Sequence, residues 1–270
     1  MQVHVLASGS KGNATFLQFN DTNILVDAGI SARRIKQGLD QIGAAVEELD
    51  GIVITHEHRD HIAGLTTLAQ KYRLPMYTRP DTWQSMAIKD TLPLECCRDL
   101  SDSLDIGSVK IEPFSISHDA ADPVGFNFFA GHCKCSVATD LGFVTDSVKK
   151  ALSLSDILVL EANHDLDMLK EGSYPWPLKQ RILSNRGHLS NVDAGWTLAR
   201  LDKKNRTDIF LAHLSQENNR PDIARDTVSG ILEEQGWKVG EDINLYLTYP
   251  NDIVSMPEGK EVSLWHSIKK

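Results

Sequence analysis

The strongest constraint in this chain is an apolar stretch that ends in a dense cluster of metal-binding side chains. The run Ile52-Val53-Ile54-Thr55-His56-Glu57-His58-Arg59-Asp60-His61 brings His56, His58, Asp60 and His61 within six residues. Its apolar half predicts a buried strand and its polar half a sharp turn into a loop. Three imidazoles and a carboxylate at a strand end can face one pocket, and this donor set suits zinc and also manganese or iron. One loop cannot supply a complete ligand set, so further ligands are expected at the ends of other strands.

The flanking sequence alternates strands and helices. Phe16 to Phe19 and Asn23 to Val26 read as strands around an Asn20-Asp21-Thr22 hairpin turn. Ser31 caps a helix to Gly43 with Ile35, Leu39 and Ile42 on one face, and a helix from Ile62 to Tyr72 follows the histidine cluster. Further strands are expected at Met76-Tyr77, Val109 to Ile111, Phe114 to Ile116, Phe126 to Phe129, Cys135 to Thr139, Ile157 to Glu161, Ile209 to Ala212 and Asn244 to Leu247. Helices are expected at Asp146 to Leu152, Asp193 to Leu201 and Pro221 to Gln235. This alternation, without repeat or linker, predicts an α/β protein with one domain over residues 1–254 and a C-terminal tail over 255–270.

No run approaches the roughly 18 apolar residues of a membrane-crossing helix. The N-terminus reads as a first strand and not as a signal peptide, which implies a cytoplasmic address. Cys96, Cys97, Cys133 and Cys135 lack the spacing of a zinc site and are expected to be reduced thiols. The net charge of −9 argues against a broad basic surface that grips nucleic acid. It leaves room for a nucleic-acid substrate held through metal ions, whose charge a residue count omits. Lys149, Lys150, Lys179, Arg181 and Arg186 form a local basic feature, which solvated helix faces would also explain.

Strand ends supply the remaining candidates. His118 follows Phe114-Ser115-Ile116, Asp140 ends the strand to Thr139, and His213 follows Ile209 to Ala212. In this order, the histidine motif, His118, Asp140 and His213 resemble the metallo-β-lactamase superfamily. The resemblance covers Gly9 to about Tyr246 and implies a four-layer αββα sandwich with two divalent metal ions at one edge of its sheets. It implies that His56, His58 and His118 hold one metal, that Asp60, His61 and His213 hold the other, and that Asp140 bridges them. Asp27, in Asp27-Ala28-Gly29, would orient the histidine loop from behind. An aspartate at the bridging position is similar to phosphodiesterases and thioesterases and unlike true β-lactamases, so antibiotic hydrolysis is not expected.

Three later segments narrow the chemistry. Glu161 to Asp165 and Gly187 to Asn191 are similar to elements of the tRNA 3′-processing nucleases, by which Glu161 would hold His188 and His188 would protonate the leaving oxygen. His164 has no counterpart there and is expected not to ligate metal. With Ser8 to Asn13, Asp122 to Gly125, Tyr174 to Pro177 and His213 to Asn219, the whole set resembles the WalJ/YycJ-type exonuclease branch. Only 22 residues separate His118 from Asp140, too few for the tRNA-binding arm, and 73 separate Asp140 from His213, too few for a cap domain. The expectation is a metal-dependent phosphodiesterase with Asp60, Glu161 and His188 as catalytic residues. Its expected activity is 5′→3′ exonuclease action on double-stranded DNA, with DNA favoured over RNA. The alternative is a hydrolase of a small cyclic phosphodiester, thioester or lactone.

Overall fold

The computed structural model describes residues 1–204 and 206–257. Its first half contains β1 (Gln2–Ala7), β2 (Ala14–Gln18), β3 (Asn23–Val26), α1 (Ala32–Gln41), β4 (Gly51–Val53), α2 (Arg59–Ile62), α3 (Leu65–Tyr72), β5 (Met76–Thr78), α4 (Pro80–Ser85) and β6 (Cys97–Asp99). The second half continues with β7 (Leu104–Ile106), β8 (Val109–Ser115), β9 (Val124–Ala130), β10 (Cys133–Ala138), α5 (Asp146–Leu152), β11 (Ile157–Glu161), α6 (Leu166–Glu171) and α7 (Trp176–Ile182). It closes with α8 (Asn191–Ala199), β12 (Thr207–Ala212), α9 (Pro221–Glu234), β13 (Ile243–Leu247) and β14 (Val254–Ser255).

Two seven-stranded sheets form, in the orders β14-β1-β2-β3-β4-β5-β6 and β13-β12-β11-β10-β9-β8-β7. Each has a parallel half, β3 to β6 in one and β10 to β13 in the other. The sheets face each other across an apolar layer in which Val3, Leu17, Ile24 and Val53 meet Ile111, Phe126, Phe128 and Val159. The outer face of the first sheet packs Leu25 and Ile52 on Ile35, Leu39 and Leu68 of α1 and α3. The outer face of the second packs Leu158, Leu160 and Ile209 on Leu152, Leu198 and Val228 of α5, α8 and α9. Central strands covered on both faces need apolar residues at every position, which is why Ile157 to Leu160 shows no polar alternation. The result is the expected αββα sandwich.

Several boundaries differ from the sequence expectation, each for a local reason. The helix expected from Ile62 to Tyr72 is broken at Gly64, whose N–H donates to Ala28 O at 2.7 Å. Arg59 to Ile62 therefore forms a separate turn that carries Asp60 and His61. The strands expected at Val109 to Ile111 and Phe114 to Ile116 are one strand, β8, with Pro113 inside. Its neighbour β7 pairs only with Val109 to Ile111, so the missing proline N–H faces no ladder. The helix expected at Asp193 starts at Asn191, because Ser190 caps it by accepting from Asp193 N at 3.0 Å. β14 pairs with β1 across the expected 254/255 boundary, and Met256 is buried beyond it. The rest of the expected tail, residues 258–270, lies outside the described residues. No described helix is long and apolar enough to cross a membrane.

All four cysteines are free, and Cys133 and Cys135 lie buried in β10. Burial pushes the Cys133 thiol up to about 12 and Cys135 well above its ordinary value. Because the thiolate is the reactive form, these two cysteines should react with an aromatic disulfide at pH 8 roughly 100-fold or more slowly than free cysteine. Mass mapping of the labelled protein checks this. Free-thiol rates in the folded chain would contradict the burial.

Candidate metal centre

The site forms where parallel strands of both sheets end. Asp27 follows β3, His56 follows β4, Asp140 follows β10, Glu161 ends β11 and His213 follows β12. At three of these ends the chain turns through the left-handed region, with φ 60° at Asp27, 61° at Asp140 and 56° at His213. Such a conformation is uncommon outside glycine and clusters at functional sites. It tips each side chain off its strand and into the space between the loops.

Close backbone packing fixes the histidine loop. Asn13 N donates to Asp60 O at 2.8 Å, Gly29 N to Asn13 O at 2.8 Å and Ala28 N to His61 O at 2.8 Å. A Cβ at Gly29 would sit 1.6 Å from Asp60 O, so only glycine fits this approach.

The buried imidazoles follow a common pattern. His61 Nδ1–H donates to Asp27 Oδ2 at 2.7 Å, His213 Nδ1–H to Glu161 Oε1 at 2.7 Å and His118 Nδ1–H to Gly187 O at 3.2 Å. Each bond leaves an Nε2 lone pair turned into the pocket, the arrangement in which outer partners set the tautomer of a metal-ligating histidine. His118 Nε2 lies 3.2 Å from His58 Nδ1, and His61 Nε2 lies 3.1 Å from Asp140 Oδ2 and 3.5 Å from Asp60 Oδ2. His56 Nε2, His213 Nε2 and Asp140 Oδ2 are buried without a hydrogen-bond partner. Converging buried acceptors need positive charge among them. Accordingly, His61 is raised well above the usual imidazole range although burial alone would lower it, because Asp140, Asp27 and Asp60 outweigh desolvation. His213 is driven up to about 10 in the same way, chiefly by Asp140 against burial.

Ligand atoms within 4.8 Å of one another fall into overlapping sets: His56, His58 and His118; Asp60, His61 and His213; and His56, His61 and Asp140, which draws on both neighbourhoods. A further set joins Asp140 and His213 to Glu161 and His188. Orphaned acceptors and a nitrogen and carboxylate donor set fit divalent cations. All nine candidates from the sequence converge here. His164 stands apart from these sets, buried with both ring nitrogens unpartnered and lowered to about 4 by desolvation.

Glu161 does more than the sequence indicates. Besides His213, its Oε1 accepts from His188 Nδ1–H at 2.9 Å, while Oε2 accepts from Leu141 N at 2.8 Å and Leu189 N at 3.0 Å. Burial would raise this carboxyl, yet His188 and His213 hold it down to about 2. Sequence reasoning also missed Asn13, whose Nδ2 lies 3.2 Å from His61 Nε2, and Ser8, whose Oγ accepts from His213 N at 2.7 Å. The Ser8 to Asn13 loop stood out as part of the resemblance and as a glycine-rich turn, without a role for either side chain. Of the expected basic feature, Lys179 is buried on the carbonyls of Lys170 and Gly172 and Arg181 pairs with Asp119.

A family model described as the beta-lactamase superfamily domain matches residues 22–213. The chain belongs to this family. It is 39% identical over 249 residues to the protein named exodeoxyribonuclease YycJ of Bacillus anthracis, covering 91% of this chain and 94% of that one. It is 38% identical over 259 residues to exodeoxyribonuclease WalJ of Streptococcus pneumoniae, covering 94% and 96%. The metallo-beta-lactamase fold protein YhfI from Bacillus subtilis superposes with a TM-score of 0.68 at 17% identity, over 94% of this chain and 98% of that one. This fold and the dinuclear-capable His/Asp cluster imply divalent metal ions.

Gly29→Ala forces a methyl group into the Asp60 carbonyl. It should cost about 3 kcal/mol or more, a fall in Tm of roughly 6–12 °C. A thermal melt at wild-type temperature would show that the loop tolerates the methyl.

Proposed function

We propose that this hydrolase is a metal-dependent phosphodiesterase that removes nucleotides from the 5′ end of double-stranded DNA. The observation that carries the reading is the sharing of Glu161 Oε1 by His213 and His188. One carboxylate thus orients an imidazole of the metal cluster and a second imidazole placed for proton transfer. A generic hydrolase centre has no use for the second imidazole, whereas an alkoxide leaving group needs a proton. The two relatives named exodeoxyribonucleases, similar along nearly their whole length, support DNA as the substrate.

Under this reading His56, His58 and His118 hold one metal, Asp60, His61 and His213 the other, with Asp140 shared. Zinc, manganese and iron all suit the donors, and we favour zinc or manganese. Two such ions, when bound, polarise a phosphodiester and activate water. Asp27, Glu161 and the Gly187 carbonyl keep the imidazoles in the required tautomer. Glu161 also keeps His188 protonated: burial lowers the imidazole, but the carboxylate outweighs it and leaves the group raised. His188 is then the acid that protonates the departing oxygen. His164 is assigned no ligand role. The activity is assigned to a single domain that includes the edge strand at Val254–Ser255, and the free thiols support a cytoplasmic address.

The test is an assay of one preparation, with Mn²⁺ and with Zn²⁺, on 5′-labelled duplex DNA, on RNA and on bis(p-nitrophenyl) phosphate. Stepwise release of nucleotides from the duplex 5′ end is expected. Turnover of the small diester alone would shift the reading to a small-molecule phosphodiesterase. His58→Ala and Asp60→Asn should abolish cleavage and lower metal content by elemental analysis. His188→Ala should slow cleavage roughly 10²–10⁴-fold with metal content at the wild-type level. A His188 variant that loses metal would be a ligand variant instead.

A further inference from the structure

We infer that the cleft beside Asp60, walled by Lys11, Arg34 and Arg59, is the track for the retained DNA duplex, and that the separate cavity at His188 takes the departing nucleotide. The inference rests on the nuclease reading above. Two cavities open beside the centre, and Ser10 lines both. One, of about 160 Å³, reaches the centre through His188 and is lined by Tyr174 and Arg181. The other, of about 500 Å³, reaches it through Asp60.

Bond-breaking assigns the two sides. In 5′-end removal, water adds to phosphorus and loses one proton to solvent. The bond from phosphorus to the 3′ oxygen of the terminal nucleotide breaks, and His188 gives its proton to that oxygen. The terminal nucleotide therefore departs on the His188 side. The shortened duplex, which keeps the new 5′-phosphate, lies on the Asp60 side.

Charge follows the same division. A duplex presents many phosphates and a departing nucleotide few, so unneutralised cations are needed mainly where the duplex lies. In the smaller cavity, Arg181 is already paired with Asp119. In the larger cleft, Lys11 and Arg59 are exposed, and none of Lys11, Arg34 and Arg59 forms an ion pair among the described residues. Asp60 is the one carboxylate among the described residues lining it. Arg34 Nη2 donates to Pro250 O at 2.6 Å, which holds the guanidinium at the cleft wall before any phosphate arrives. On a chain of net charge −9, this local concentration supplies what the overall composition does not.

The test compares full-length wild type, Lys11→Gln/Arg34→Gln/Arg59→Gln, Lys11→Gln/Arg59→Gln, and Lys149→Gln/Lys150→Gln on α5 outside the cleft, the last a control matched in charge to the double cleft variant. Steady-state cleavage of a blunt duplex is followed from 0.05 to 0.3 M salt (concentrations of about the range in which counterion release is read). The cleft variant should raise KM for duplex about tenfold or more near physiological salt, with the loss in KM and not in kcat. Its slope of log kcat/KM against log salt should flatten by about 1 for each cation removed. The control should match wild type. Arg34→Gln removes the bond to Pro250, so Lys11→Gln/Arg59→Gln is read in parallel should the triple variant fail to fold. A cleft variant with wild-type KM and salt slope overturns the track while wild-type cleavage leaves the nuclease reading intact. Wild type that cuts no duplex overturns both.

Discussion

The centre depends on buried carboxylates that receive imidazole N–H groups. Asp27 takes His61, and Glu161 takes both His213 and His188, all at 2.9 Å or less. A neutral imidazole has one donor and one acceptor nitrogen, so the bonds of His61 and His213 commit their other nitrogen to the pocket as an acceptor, whereas a protonated His188 presents a second donor. Several acceptors then converge with Asp60 and Asp140 in a place that water barely reaches. The cluster is therefore stable only with positive charge at its middle, and its affinity for cations is built into its hydrogen bonds.

Glu161 itself is costly to bury. It is fully buried, and desolvation alone would neutralise it. Two backbone N–H groups, from Leu141 and Leu189, and two imidazoles use both oxygens and keep it ionised. Those donors come from the segments after β10, before α8 and after β12. The carboxylate thus ties together three loops that share no sequence neighbourhood. The left-handed turns at Asp140 and His213 have the same logic, since strain of order 1–3 kcal/mol each persists only where surrounding bonds hold the chain.

Much of this was legible in the order of residues. A strand followed by His56, His58, Asp60 and His61 announces a metal loop, and His118, Asp140 and His213 each stand within three residues of a strand end. The α/β alternation was legible because short apolar runs such as Ile157 to Leu160 and Ile209 to Ala212 suit strands covered on both faces, while the αββα layering followed from the resemblance to the metallo-β-lactamase superfamily. Less legible were features that depend on approach distance. Gly64 breaks a helix because its N–H is claimed by Ala28, and Gly29 is required because Asp60 O lies against it. α7 was missed because Tyr174-Pro175-Trp176-Pro177 resembles a loop, although proline in a first helical turn is compatible with a helix start.

By itself the sequence determined the donor types, their placement at strand ends and the alternation that builds two covered sheets, because these are properties of single residues and their spacing. Tertiary structure alone decided which nitrogen each histidine presents, that Glu161 serves two imidazoles, that Asn13 and Ser8 reach the cluster, and that Lys11, Arg34 and Arg59 share one cleft while Lys179 is spent on carbonyls. Those outcomes depend on distances between segments remote in the chain, and hydrogen bonds and desolvation act over a few ångströms that no spacing in sequence encodes.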